Sequence, residues 1–151
     1  MKNRVLLPAV AAALLLIMGL YFLINPSYQK SITAKYYFET ADYKEAYNLA
    51  KEAFSLDVYN RMASTIMAQS TTSLKYVRYI DESKKYMKTI NQIATKDIIS
   101  DADKAKMRMM CEIMTGSYIK LAPSVITDTQ LTKDAAEYND MFEKLLEKVD
   151  R

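Results

Sequence analysis

The chain of 151 residues has no histidine and no tryptophan, two glycines, three prolines and a single cysteine, Cys111. Each shortage removes a class of function. Without histidine there is no Ser-His-Asp or Cys-His catalysis, no HExxH zinc site and no imidazole proton shuttle. Two glycines cannot build a phosphate-cradling loop. The carboxylates offer no working pair either. Asp81 and Glu82 are adjacent, so a helix would send them to different sides, and Asp101 and Asp103 sit where carboxylates favour a helix N-terminus. No enzymatic activity, cofactor or small-molecule substrate is expected. One cysteine cannot form an internal disulfide. Without Lys2 and Arg4, 19 basic residues face 18 acidic ones, so the dense basic face that a nucleic-acid partner needs is missing.

One long uncharged run is present. Residues 5–24, VLLPAVAAALLLIMGLYFLI, carry no charge, and 20 residues of helix span about 30 Å, the thickness of a bilayer's hydrocarbon core. Lys2 and Arg4 precede the run, and Tyr21, Phe22 and Tyr28 mark its far end, a basic flank and an aromatic belt. A cleaved signal peptide is the rival reading. Its apolar region is shorter and ends in a small-x-small site, which Leu23-Ile24-Asn25-Pro26 does not supply. The expectation is an uncleaved transmembrane anchor over residues 1–25 and a second region over 26–151. The flank puts the N-terminus in the cytoplasm and residues 26–151 outside, which in a bacterium means an inner-membrane protein facing the periplasm.

Strand-like alternation is absent beyond the anchor, so the fold class is all-α. The spacing predicts helices over 27–40, 42–55, 58–72 and 75–95, a fifth from 101 that Pro123 ends, and a sixth over 132–149 with Thr132 as cap. Ser100 and Asp103 form a candidate capping box. Short connections predict antiparallel neighbours, giving a hairpin stack of about six helices after the anchor.

The stretch YYFETADYKEAYNLAKEAFSLDVYN, residues 36–60, places small residues at helical spacing among large ones. Ala34 belongs to the first of two helices and Ala46 to the second, and antiparallel helices approach closely only where side chains are small. Residues 27–60 resemble one tetratricopeptide repeat, a helix–turn–helix unit of about 34 residues. Ala34, Tyr37, Ala46 and Ala53 fall on its small, aromatic, small and small positions. Ala41-Asp42-Tyr43 stands where the family usually has Gly-Asp-Tyr. Lys30, Thr33 and Val58 depart from the pattern. From Arg61 the likeness is faint: Met67-Ala68 matches a Leu-Gly pair, but Thr71, Ile80, Lys84 and Met87 do not fit.

The resemblance implies a stack presenting a groove to a peptide or helix. Carried over position by position, the groove falls on Tyr28, Ser31, Lys35 and Phe38, then Met62, Thr65, Gln69 and Thr72. The expected function is a membrane-anchored protein–protein interaction module, an assembly, stability or scaffold factor for an inner-membrane or envelope complex. Its partners are proteins at the membrane, with the bilayer held through the first helix. Two alternatives stay open. One is a permanent structural subunit of a membrane complex. The other is a periplasmic copper handler, because Met107, Met110, Cys111 and Met114 share one helix face and soft sulfur suits Cu(I), although such a stripe equally reads as core. A basic facet, Lys75, Arg78, Lys84, Lys85 and Lys88 against Asp81 and Glu82, reads as a solvated face or a site for an acidic partner or anionic lipid.

Overall fold

The computed structural model describes residues 3–124 and 127–149, with side chains from Leu6 onward. Lys2 and the Arg4 side chain, on which the expected orientation rests, lie outside this set, as do Val125 and Ile126. Among the described residues there are six helices and no strand.

Helix α1, Asn3–Ile24, contains the uncharged stretch Leu6–Ile24, 19 residues of which none is buried. It is long and apolar enough to cross a membrane. Asn25 interrupts it with an extended backbone, φ −73° and ψ 115°, and its side chain accepts a hydrogen bond from the Ser27 N–H at 2.9 Å. Pro26 follows at the first helical position, where its missing N–H costs nothing. Helix α2, Pro26–Glu39, starts there. Phe22 and Tyr28 meet edge to face at 4.6 Å across the joint.

The chain divides into two compact units, one ending at Ser70 and one beginning at Thr71. In the first unit, α2 turns into α3, Tyr43–Leu56, through Thr40, Ala41 and Asp42. The Asp42 N–H reaches back to the Tyr37 carbonyl at 2.9 Å and the Ala41 N–H to that of Phe38 at 3.2 Å. This double closure leaves Ala41 left-handed, φ +64°. A Cβ in that region costs about 1–2 kcal/mol, and a glycine there loses part of the relief through its freer unfolded chain. Ala41→Gly should therefore stabilise the protein by about 1 kcal/mol. A lowered denaturant midpoint would contradict this. Asp42 then caps α3 by accepting the Glu45 N–H at 3.1 Å.

Ala34, Ala46 and Ala50 are fully buried with Ile66 in one cluster, flanked by Tyr37, Phe38, Leu49 and Met67. The cluster is built mainly of small residues. Ala46→Leu adds three carbons there, and overpacking should cost about 1–3 kcal/mol. Asn48 is exposed, so Asn48→Leu should stay within about 0.5 kcal/mol. Equal urea midpoints for the two variants would show that Ala46 is not at a close approach.

Helix α4 runs unbroken over Arg61–Ala94, 34 residues. This corrects the expectation of separate helices over 58–72 and 75–95. Val58, Tyr59 and Asn60 belong to the preceding turn, and among the described residues five helices rather than about six follow α1. The physical reason is that no Gly or Pro occurs between Arg61 and Ala94. The Ser-Thr-Thr-Ser run at 70–73 lowers helix propensity by only a few tenths of a kcal/mol per residue. Meanwhile Ala63, Ile66, Ser70, Ser73, Tyr76, Ile80 and Ser83 keep one buried stripe going through it.

The second unit joins α4 from Thr71 onward to α5, Asp101–Tyr118, and α6, Thr129–Val149. Ser100 and Asp103 make the expected capping box, with Ser100 Oγ accepting the Asp103 N–H at 3.1 Å. Hydrogen bonds from Lys96 and Ser100 hold the Asp103 carboxyl below its usual range. Helix α5 stops at Tyr118, before Pro123, and α6 begins three residues earlier than expected. The Asp128 carboxylate accepts the Gln130 N–H at 2.8 Å, so the start belongs to Asp128. The Thr132 hydroxyl instead donates to the Thr129 carbonyl inside the helix. The core is Tyr76, Tyr79, Ile80, Ile90 and Ile93 against Met107, Met110, Cys111 and Met114, closed by Ala135 and Phe142. Burial pushes the Tyr79 hydroxyl up to about 12.

Candidate protein-binding surfaces

A knot of buried polar groups holds the first unit together. Asn60, with no exposed surface, ends the turn before α4 and caps that helix by accepting the Ala63 N–H at 3.1 Å. Its amide Nδ2 donates to the hydroxyls of Ser27 and Ser31, both at 2.8 Å. Ser27 Oγ in turn donates to the Ala53 carbonyl at 2.8 Å, and Ser31 Oγ to the Ser27 carbonyl at 2.9 Å. The start of α2, the end of α3 and the start of α4 are thus tied by side chains whose donors and acceptors match. Sequence reasoning missed this knot. The signal was a row of small residues, Ser27, Ser31 and Ala34, on one face of α2.

The eight residues assigned to a groove take different places. Ser31 is fully buried in the knot. Tyr28 is half-buried against Phe22. Phe38 is half-buried beside the alanine cluster and stands edge-on to Tyr43 at 5.4 Å. Lys35 is exposed, 3.7 Å from Glu39. On α4, Met62 and Thr65 are exposed, while Gln69 and Thr72 are half-buried. The outward positions of the first unit are therefore Lys35, Met62 and Thr65. Thr72 belongs to the second unit.

The basic facet acquires a shape in the second unit. Lys75, Arg78, Lys84, Lys85 and Lys88 are all exposed on α4. Lys84 and Lys88 also wall an open cleft of about 490 Å³ with Met87, Asn91, Gln92 and Thr95 of α4 and Tyr138 of α6. Two ammonium groups beside a methionine and a tyrosine suit an acidic side chain on an apolar stem. The Met–Cys stripe lies elsewhere: Met107, Met110, Cys111 and Met114 are buried in the core around Phe142. Burial, and then the charge of Glu112, raises the Cys111 thiol pKa. A buried thiol held protonated is a poor metal ligand, since ligation takes the thiolate.

No family model, curated protein or solved structure matches the chain.

Proposed function

We propose that this chain is a membrane-anchored protein-interaction module, serving as an assembly, stability or scaffold factor for a membrane complex. The observation that carries the reading is a first helix whose uncharged stretch, Leu6–Ile24, is wholly unburied and which is joined through a capped, aromatic-braced joint to packed helices. Such a helix has no place in a protein core and suits a bilayer, while each of the two units presents packed helices to a partner. We place residues 26–151 on the outer face of an inner membrane, following the basic flank at Lys2 and Arg4. We also read α2 and α3 as one tetratricopeptide-like hairpin. Support comes from the buried Ala34, Ala46 and Ala53, and from the left-handed Ala41 where that family usually has glycine.

The partner chemistry that fits best is an acidic, partly apolar segment lodged beside Lys84 and Lys88. Met109 and Ile113, exposed one turn apart on α5, favour a second reading, a fixed subunit whose apolar face is covered by its neighbours. Affinity purification of the full chain from mild-detergent membranes, read by mass spectrometry, tests both. A client captured in variable yield and lost from the Lys84→Glu/Lys88→Glu variant supports the module. Constant stoichiometry that the charge reversal does not alter supports the fixed subunit. Absence of any membrane-complex partner from both preparations would overturn the proposal.

A further inference from the structure

The end of α3 and the turn after it expose apolar side chains where turns are usually polar. Leu56, Val58 and Tyr59 are 55, 60 and 87% exposed. None of the three helps to form the buried cluster of the first unit.

The position of this turn is fixed by the knot. Asn60, the next residue, hydrogen-bonds Ser27 at 2.8 Å, and Ser27 comes three residues after Ile24, the end of the uncharged run. One extended residue, Asn25, advances about 3.3 Å and the two helical ones about 1.5 Å each, so Ser27 lies no more than roughly 6 Å past the hydrocarbon edge. The headgroup layer is about 5–7 Å deep on each side. The joint is braced by the Phe22–Tyr28 contact at 4.6 Å and by the Asn25 amide donating to the Tyr21 hydroxyl at 3.1 Å. With α1 taken as the span, the end of α3 and the start of α4 are held at headgroup level beside it.

We infer that Leu56 at the end of α3 and Val58 and Tyr59 of the turn after it insert into the headgroup layer of the bilayer that α1 spans. The inference rests on the anchor reading and adds a second point of contact to it. Tyrosine is at home at this depth, with its ring among the acyl ends and its hydroxyl in water. Exposed Arg61, on the first turn of α4, suits lipid phosphate. The Asp57 carboxylate is engaged by the Tyr59 N–H at 2.9 Å. One contact would leave the first unit free to rotate about α1, and two fix the face it presents.

The absence of tryptophan makes the test direct. Three full-length variants, Tyr59→Trp, Leu14→Trp and Tyr36→Trp, are reconstituted separately into phosphatidylcholine–phosphatidylglycerol vesicles. Leu14 reports the span, and Tyr36 an exposed site farther along α2. Quenching is compared between iodide in the water and lipids brominated near the glycerol or deep in the acyl chain. The Tyr59→Trp probe should lose most of its emission to shallow bromines and little to iodide. The Tyr36→Trp probe should do the reverse, and the Leu14→Trp probe should respond to deep bromines. If Leu14→Trp is quenched by lipid but Tyr59→Trp by iodide, the anchor stands and this inference falls. If the Tyr59→Trp probe is shielded from both quenchers, protein covers the turn and the inference again falls. If Leu14→Trp does not respond to lipid, the anchor reading fails and takes the second contact with it.

Discussion

Asn60→Asp should destabilise the first unit by about 2–4 kcal/mol, although the two residues are the same size and cap helices equally well. The amide gives two hydrogens, one each to Ser27 Oγ and Ser31 Oγ. Both hydroxyls have already committed their own hydrogens, to the Ala53 and Ser27 carbonyls. A carboxylate in that place faces lone pairs, fully buried and without a counter-charge. Taking up a proton restores only one of the two donors. The variant also acquires a pH signature. Burial raises the new carboxyl's folded-state pKa above its unfolded value, so the protonated form is the one that folding favours. The penalty is therefore smallest at acid pH and grows as pH rises through the unfolded value towards the folded one. Hydrogen exchange at the amides of α2 and α3, compared at pH 4.5 and 7, reads both effects. Wild-type protection at pH 7 would mean that the amide is not the donor at the centre of the knot.

Phe142→Ala should remove about 3–5 kcal/mol from the second unit. Phe142 is among the largest fully buried side chains and lies in the cluster with Tyr76, Ile90, Met110, Cys111 and Met114. Deleting its ring loses the transfer energy and leaves a void that three helices cannot all collapse to fill. Cys111 is the natural reporter. It is buried, and its thiol is held protonated by its surroundings, so a maleimide reaches it only when the unit opens. Labelling should be slow in the parent chain and faster by a factor of a hundred or more in the variant, on the order of the stability lost. Comparable labelling rates would place Phe142 outside the unit's stabilising core.

Local chemistry was the legible part of the sequence. The capping box at Ser100 and Asp103 and the burial of Ala34 with Ala46 each follow from residue types at helical spacing, and each is present. The uncharged run of α1 is of the same kind. Helix continuity through residues 70–73 was not legible, because a row of serine and threonine is compatible with a loop or a helix. Which one forms depends on the stripe buried on either side of it. Ser31 fell on a family position that lines a groove, whereas its hydroxyl meets a side chain on another helix. Side-chain pairs that far apart leave no periodic trace in one sequence. The cleft at Lys84 and Lys88 needed Tyr138 from α6 to close its side, a neighbour that spacing along α4 cannot announce.

The knot also sets an order of events while the chain is being made. Its hydrogen bonds join residues 33 and 29 apart in sequence. Helix α1 leaves the ribosome before α2, so Ser27 and Ser31 wait with water as their partner. Helix α3 can fold back on the alanine face as soon as it emerges. The latch itself closes only when Asn60 arrives, since no earlier residue offers two hydrogens to that pair. Until then the hairpin is a transient of local contacts. A nascent chain stalled with Asn60 still inside the ribosomal exit tunnel should remain open to proteases over α2 and α3, and one stalled after the first turn of α4 has emerged should not.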